Sequence, residues 1–321
     1  MWAGVNFSLR SLAFCILIAY SANAADPLFE LDGRIEPQAQ ASVSIYGVSV
    51  PFSESALSDA AGHFRFKKLL AGAYTIAVLV PGRGEARLTE EVGRGTADSK
   101  NRVEVVLKLS DDRFALDPRG RDVVSARELK IPDRAHREFE EAEKALSKRD
   151  GIGASAHLEK AVEIAPQFEA AWNNLGTIAY RAADYSRAEQ CFRRALAADP
   201  QAYEALVNLG GVLINLHRLE EAELYNQHAV LVRPGDALAN SQLGTTFFEL
   251  DQLDAAEKYL DRARSLDPAH FSHPQLLLAE IELRRGQPRK AAAELEDFLK
   301  YHPDWPQAAR LRQQIAKWRM P

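Results

Sequence analysis

The chain has 321 residues, of which 46% are hydrophobic and 26% are charged. This balance is typical of folded globular domains, and it excludes both a disordered chain and one embedded throughout in a membrane. The formal net charge is −5. Because nucleic acids bind clustered Lys and Arg, a nucleic acid is excluded as the expected partner.

The first part of the chain has the pattern of a secretory signal peptide. Arg10 precedes an apolar run over 12–20, and Ala22 and Ala24 form the small-x-small pattern that a signal peptidase cleaves. The run is much shorter than the roughly 20 residues that a transmembrane helix needs. We expect a signal peptide over 1–24, cleavage after Ala24, and an exported protein that is periplasmic or secreted, without a stable membrane span. A leader that is retained as an anchor is the alternative.

Two cysteines are present, and Cys15 lies inside the expected leader. The mature chain would keep a single thiol, Cys191, which cannot form an internal disulfide. Because Cys191 stands in a stretch with helical character, we expect it to be a buried small residue and not a nucleophile.

Residues 25–110 have the pattern of β-strands. Short apolar or alternating runs are separated by Gly, Pro, Ser and Asp, and these runs cover 41–46, 63–66, 74–80 and 103–109. This pattern predicts a small all-β sandwich.

The most specific part of this region is a turn and the strands beside it. Asp59 can cap the turn and Gly62 permits a positive φ, after which Phe64 and Phe66 point to one face and alternate residues of 74–78 return along it. This stretch resembles the carboxypeptidase regulatory-like domain, a transthyretin-like β-sandwich attached to many exported bacterial proteins. The resemblance implies a structural or adhesive module within a carbohydrate-binding-like fold group. Its matching residues are turn and core positions, so it transfers no sugar site.

A polar stretch over 111–134 carries equal numbers of acidic and basic residues and is expected to be a linker. Near its end, Pro132 disfavours a helix in the residue before it. Asp133 is expected to cap the helix that follows.

From residue 135 onward the sequence repeats itself every 34 residues. Glycines recur where two helices of a hairpin would cross without room for a β-carbon, alanines recur on the second helix, and prolines end each hairpin. The four series are Gly176, Gly210 and Gly244; Ala188, Ala222 and Ala256; Ala161, Ala195, Ala229 and Ala263; and Pro166, Pro200, Pro234 and Pro268. Such units bury their apolar faces against neighbours, which predicts an all-α solenoid of antiparallel helical hairpins.

The second unit resembles the tetratricopeptide repeat (TPR) in Trp172, Leu175, Gly176, Tyr180, Ala188, Phe192, Ala195 and Pro200, although Tyr180 stands one place late. The resemblance covers more than half of the chain and implies five repeats followed by a capping helix. The repeats are 135–168, 169–202, 203–236, 237–270 and, after one inserted residue, 272–305, and the capping helix is 306–321. The first repeat is degenerate because Glu138 and Glu141 stand where apolar residues are expected.

Members of this family bind extended or helical peptides in a groove lined by the first helix of each hairpin. Carried over to this sequence, the resemblance gives these candidate groove residues: Asn173, Asn174, Thr177, Tyr180, Arg181, Asn208, Asn215, Gln242, Thr245 and Phe248. Asn174 and Asn208 fall where family members use an amide to hydrogen-bond the ligand backbone, although asparagine is also frequent there as plain repeat consensus. The cationic clamp of carboxylate-binding members is absent, because Leu238 and Gln242 occupy its positions.

No catalytic motif is present in the sequence. There is no nucleophile elbow and no phosphate-binding loop. The closest histidine pair, His270 and His273, lacks a third metal ligand nearby. We therefore expect no enzymatic activity, no cofactor and no metal.

Two functions fit these observations. The first is a non-enzymatic protein–protein interaction scaffold of the cell envelope or periplasm, which holds another protein or peptide in the solenoid groove. The alternative is carbohydrate or cell-wall binding through the β-sandwich, with a glycan as the ligand and the repeats as a spacer. The aromatic residues that could stack on a sugar, Tyr46, Phe52 and Tyr74, are each expected in the core or at a sheet edge.

Overall fold

The computed structural model describes residues 27–48, 52–109 and 130–320. The expected signal peptide lies outside the described residues, and so does the expected linker as far as residue 129. In the described parts, an N-terminal region of strands precedes a region of helices.

Seven strands form two sheets in the described N-terminal part. They are β1 (Phe29–Glu36), β2 (Ser42–Gly47), β3 (Ser53–Leu57), β4 (His63–Leu69), β5 (Gly72–Val80), β6 (Gly84–Val92) and β7 (Arg102–Lys108). One sheet has the strand order β4-β1-β7 and the other β3-β2-β5-β6. Strands β1 and β7 run parallel, whereas the other neighbours are antiparallel. We call these two sheets the β-domain.

One hydrophobic core contains apolar side chains from both sheets of the β-domain, including Phe64 and Phe66. The predicted turn before them is present, because Asp59 Oδ1 accepts the backbone N–H of His63 at 2.8 Å and Gly62 has a φ of +82°. The prediction of an all-β N-terminal region is therefore confirmed, and the resemblance to the carboxypeptidase regulatory-like domain stays a prediction. The sequence pattern does not predict β1, β3 and β6, because these strands mix charged residues with few apolar ones.

Eleven helices follow in the described C-terminal part. They are α1 (Asp133–Ser147), α2 (Gly151–Ile164), α3 (Glu169–Arg181), α4 (Tyr185–Ala198), α5 (Tyr203–Asn215), α6 (Leu219–Val232), α7 (Ala237–Glu249), α8 (Leu253–Leu266), α9 (Pro274–Arg284), α10 (Pro288–Tyr301) and α11 (Ala308–Arg319). Successive helices pair as α1/α2, α3/α4, α5/α6, α7/α8 and α9/α10, and α11 packs on α10. This arrangement confirms the predicted solenoid of helical hairpins, and we call α1–α11 the solenoid.

The repeating glycines mark the points where the two helices of a hairpin are closest. A β-carbon on Gly176 would lie 2.5 Å from the ring of Phe192, and one on Gly244 would lie 2.7 Å from Cγ of Leu260. A β-carbon on Gly210 would lie 1.9 Å from the side-chain oxygen of Asn226. The recurring alanines of the second helices are fully buried. Both columns therefore have the steric role that their spacing predicts.

A fifth set of positions recurs with the same period, and its members share a backbone conformation instead of a residue type. We call it the left-handed column. Arg149, Ala183, His217 and Asp251 all have a φ near +60°, and Gly286, one inserted residue later, has a φ of +71°. Each follows the first helix of a hairpin and forms the same pair of bonds; for example, Ala183 N–H reaches the carbonyl of Tyr180 and Asp184 N–H that of Ala179. This is the Schellman motif, which ends a helix with a left-handed residue and turns the chain sharply.

Helix α1 begins one residue earlier than the sequence predicts. Asp133 was expected to cap α1, but it is the first helical residue, and Pro132 occupies the capping position without a side-chain hydrogen bond. This is a correction: the carbonyl of Pro132 accepts the backbone N–H groups of Ala135 and His136, so the helix begins directly after Pro132. Cys191 is buried as expected, and burial raises the pKa of its thiol.

Candidate functional site

Polar side chains connect the first helices of two neighbouring hairpins, α3 and α5. Asn208 Nδ2 donates to Asn173 Oδ1 at 3.0 Å. Asn215 Nδ2 donates to the hydroxyl oxygen of Tyr180 at 3.2 Å and to the carbonyl of Gly211 at 2.9 Å. The structure thus brings together four of the predicted groove residues as two hydrogen-bonded pairs between α3 and α5.

The two predicted groove threonines bond to their own helices. Thr177 Oγ1 donates to the carbonyl of Asn173 at 3.0 Å, and Thr245 Oγ1 donates to that of Ser241 at 2.9 Å. Both hydroxyls therefore satisfy their donor within the helix. Asn174 is partly buried on α3.

Gln242 lies where α5 and α7 approach each other. A β-carbon on Gly211 would lie 2.7 Å from Gln242 Nε2, so glycine at this position gives the amide its space. Gln242 therefore belongs to the contact between two first helices, as does Asn208, the equivalent residue one repeat earlier, between α3 and α5.

Phe248 has a different place from the one expected for a groove residue. Its side chain is 1% exposed and belongs to a hydrophobic core cluster of α7–α9. The guanidinium of Arg284 lies 4.3 Å from the ring centroid and covers it. The expectation that Phe248 lines the groove is corrected, because the last turn of α7 directs this ring into the packing between hairpins.

Arg181, another predicted groove residue, contacts the β-domain. Its Nη2 donates to the carbonyl of Gly47 in β2 at 2.6 Å. Burial lowers the pKa of Arg181 to about 10. In the preceding hairpin, Arg149 Nη2 donates to the carbonyl of Lys68 at 2.7 Å, and its guanidinium lies 4.8 Å from the ring centroid of Phe52. The β-domain is therefore seated on the turns of the first two hairpins.

Further along the solenoid, four charged residues form a network between β6 and the helices. Arg87 Nε lies 2.7 Å from Glu85 Oε1, and its Nη2 lies 2.8 Å from Glu204 Oε1. Arg233 Nη1 lies 3.1 Å from Glu204 Oε1 and 3.5 Å from Glu85 Oε1. The ring of Tyr203, which is 2% exposed, lies beneath the guanidinium of Arg233 at 4.1 Å. Two cations and two carboxylates thus alternate across the contact.

The network shifts the ionisation of its members. Desolvation disfavours the charged form of Arg87, but the carboxylates of Glu85 and Glu204 outweigh it and raise the pKa of Arg87 well above its ordinary value. Desolvation also opposes ionisation of Glu204, yet the cations of Arg87 and Arg233 lower its pKa. Burial raises the pKa of Tyr203. Arg87 and Glu204 therefore both stay ionised around neutral pH.

The C-terminal hairpins contact β6 and the loop after it. Asp267 accepts the backbone N–H of Thr89 at 2.8 Å. His302 Nδ1 lies 3.1 Å from Glu91 Oε1. Asp304 Oδ2 accepts the backbone N–H of Gly95 at 2.5 Å. Contacts with the β-domain therefore run from the first hairpin to the connection that precedes α11.

Three histidines lie at this end of the contact. His273 Nδ1 and His302 Nε2 are 3.3 Å apart, and burial lowers the pKa of both His270 and His273. Over residues 27–48, 52–109 and 130–320, no group of three or more His, Cys, Asp and Glu side chains is arranged to hold a metal ion. The same residues contain no helix long and apolar enough to cross a membrane.

Sequence reasoning missed the residues that join the β-domain to the solenoid. Arg87 and Glu204 are separated by 117 positions, and Glu91 and His302 by 211, so no local pattern links them. One partial signal was present: Glu85, Arg87 and Thr89 alternate with Ala86 and Leu88, as in a strand with one face outside its own core, but Glu90 interrupts this alternation.

Two family models match the helical region. The model described as "Cilia and flagella-associated protein 70 middle TPR-like domain" matches residues 137–266. The model described as "Tetratricopeptide repeat" matches residues 247–315. A search of curated proteins returned no match.

Several solved structures are similar to the chain. MamA 41-end from Desulfovibrio magneticus RS-1 is 21% identical with a TM-score of 0.49, over 54% of this chain and 98% of the other. YrrB, described as a TPR protein with an unusual peptide-binding site, is 23% identical with a TM-score of 0.47, over 59% and 98%. PilF of Pseudomonas aeruginosa is 20% identical with a TM-score of 0.48, over 58% and 89%. The two family models carry the assignment: the helical region of this chain is a tetratricopeptide-repeat solenoid.

Proposed function

We propose that the protein is a non-enzymatic scaffold of the cell envelope, which holds a segment of another protein against the first helices of its TPR solenoid. Tetratricopeptide repeats form the helical region, and among the described residues no group of three or more His, Cys, Asp and Glu side chains is arranged to hold a metal ion. The fold alone does not name a function, so the proposal has to rest on the site.

The observation that carries the proposal is the two hydrogen-bonded pairs of side chains between α3 and α5. Asn173 with Asn208, and Tyr180 with Asn215, are partly exposed, and they contribute nothing to the hydrophobic clusters of the solenoid. Amide side chains that are held in place by each other are suited to bond the backbone of an extended segment, because each amide both donates and accepts. Residues with a purely structural role in these helices are instead buried and apolar.

The test compares retention of partner proteins on the full-length chain with and without the amides. Asn173→Ala combined with Asn208→Ala removes one of the two hydrogen-bonded pairs, and Gln227→Ala removes an exposed amide from the second helix α6 as the control. We expect proteins captured from the envelope fraction by wild type and by the control to be lost from the double variant. Unchanged circular-dichroism melting would show that the repeats remain folded. Equal retention by all three chains would contradict the groove proposal.

We further propose that the chain is exported and that its β-domain is a carboxypeptidase regulatory-like module. The apolar run over 12–20, followed by Ala22 and Ala24, supports export. N-terminal sequencing of the protein from cells tests it: a mature chain that begins at Ala25 is expected, and an intact Met1 would contradict it. Glycan binding has little support, since Phe52 and Tyr74 are core residues and Tyr46, 42% exposed, stands apart from them.

A further inference from the structure

Strand β6 contacts the solenoid in the manner of a bound extended segment. Successive side chains of a strand point to opposite faces, and Ala86, Leu88 and Val92 enter the core of the β-domain. The alternate residues therefore face away from that core. Glu85, Arg87 and Glu91 meet the helices through their side chains, and Thr89 does so through its backbone N–H.

The order of contacts along the strand follows the order of hairpins along the solenoid. Glu85 and Arg87 meet the connection between α6 and α7 with the start of α5, through Arg233 and Glu204. Thr89 meets the connection between α8 and α9, at Asp267. Glu91 and the following loop meet the connection between α10 and α11, at residues 302–304. We call these three stretches, 233–236, 267–273 and 302–307, the connection row.

The contact also covers a sheet edge. Strand β6 is the last strand of its sheet, and an uncovered edge strand presents unpaired backbone groups that invite another strand. The N–H of Thr89 donates to Asp267 at 2.8 Å instead of to a further strand. The connection row thus gives β6 the hydrogen-bond partner that a neighbouring strand would supply.

The seating of β6 is polar, and the two parts of the chain keep separate interiors. The core cluster of the β-domain contains no residue of the solenoid, and the described helical clusters contain none of the β-domain. Polar contacts between domains resemble transient protein–protein interfaces, and relative motion is the default where no large apolar interface exists. Ion pairs near the surface are also weakened by salt.

We propose that β6 is an internal ligand of the solenoid, and that its reversible release opens the connection row to an extended segment of another protein with the same alternation of charged side chains. While β6 is seated it is present at high effective concentration, because it is part of the same chain. An external segment therefore competes with β6, and the seated β-domain determines how high the affinity of that segment must be for it to bind. Binding at the connection row is independent of binding in the groove between α3 and α5.

Amide hydrogen exchange in the full chain tests the seating. The N–H groups of Thr89 and Gly95 donate to solenoid carboxylates, so they exchange slowly only while β6 is seated. Glu204→Arg places a cation against Arg87 and Arg233, and we expect it to speed exchange at both amides about tenfold, as does a rise in NaCl from about 0.05 to about 1 M. Amides paired between β5 and β2 should keep their wild-type rates, which shows that the sheet remains folded.

The matched control is Glu220→Arg, which reverses an exposed carboxylate in the first turn of α6. We expect this variant to leave exchange at Thr89 and Gly95 unchanged. Asp304→Ala is a milder second variant, since it removes only the acceptor of the Gly95 N–H and should raise exchange there more than at Thr89. Wild-type exchange rates in Glu204→Arg and at high salt would overturn the proposal.

A peptide probe tests the recognition itself. Arg87→Glu opposes Glu204 and releases β6 while the connection row stays intact. A synthetic peptide of residues 82–97 is expected to bind this variant at least about tenfold more tightly than it binds wild type, in which β6 competes. The same peptide carrying Arg87→Glu should bind neither chain. Equal binding of the unmodified peptide to both chains, or no binding to the released variant, would overturn the assignment of the connection row as a strand-binding surface.

Discussion

Thr89 donates its backbone N–H to the carboxylate of Asp267 across 178 positions of sequence. The donor belongs to an edge strand and the acceptor to the end of a helical hairpin, so one bond relates the two regions of the chain. Asp267 is 3% exposed, and a buried carboxylate is stable only with partners. The seated β-domain therefore supplies a hydrogen bond to this buried carboxylate.

The free energy of unfolding depends on pH through Glu90, which lies near Asp267 in the contact between β6 and the solenoid. Burial raises the pKa of Glu90 to about 7, and the nearby Asp267 carboxylate adds to the rise. The folded state then binds the proton more tightly than the unfolded state, so the contribution of Glu90 is most favourable below its ordinary pKa. That contribution is lost as the pH rises through about 7. Glu90→Gln should therefore be more stable than wild type by about 1–3 kcal/mol at pH 8.

The measurement is urea denaturation of both chains at pH 8 and pH 5. The difference in the free energy of unfolding between the two chains should be smaller at pH 5, where Glu90 is protonated in the folded state. Comparing the two chains cancels the titration of buried histidines such as His273, whose effect is common to both. A difference that is equal at both pH values would contradict the assignment.

The left-handed column predicts an unusual pair of opposite effects. Ala183 has a φ of +58° and Gly286 a φ of +71°, and a side chain in this region costs about 1 kcal/mol relative to glycine. Ala183→Gly should therefore raise the free energy of unfolding by up to about 1 kcal/mol, and Gly286→Ala should lower it by a similar amount. Chemical denaturation checks both, and a destabilised Ala183→Gly would contradict the argument.

The crossing of α3 and α4 predicts a coupled pair. A β-carbon at Gly176 would overlap the ring of Phe192, and overpacking of this kind costs about 1–3 kcal/mol. Gly176→Ala should be destabilised by that amount, whereas Gly176→Ala combined with Phe192→Leu should lose less than the sum of the single variants. Additive losses in a double-mutant cycle would show that the ring is not the obstacle.

Cys191 should react with a thiol reagent only when the solenoid opens. Its side chain is buried, and burial raises the pKa of its thiol, so little thiolate is present and little of it is accessible. We expect labelling of the native protein by a chromogenic disulfide to be slow and to become immediate in denaturant. The Cys191→Ala variant is the control, because any labelling that it shows comes from another group. Fast labelling of the native protein would contradict the burial of Cys191.

The sequence by itself determined the register of the solenoid. Glycine, alanine and proline columns such as Gly176, Ala188 and Pro200 recur every 34 residues because helix crossings tolerate only certain side-chain sizes, and these are short-range steric demands. The same holds for the turn at Asp59 and Gly62, whose chemistry lies within five residues.

Only the tertiary structure decided the rest. Arg149, Ala183, His217 and Asp251 share one backbone conformation although their side chains have nothing in common, since the turn geometry and not residue preference imposes it. Of the predicted groove residues, Phe248 proved to be core and Arg181 to be a contact of the β-domain, because which face of a helix stays open depends on what packs there. The pairing of β6 with the connection row joins residues more than a hundred positions apart, and only the folded chain brings such charges together.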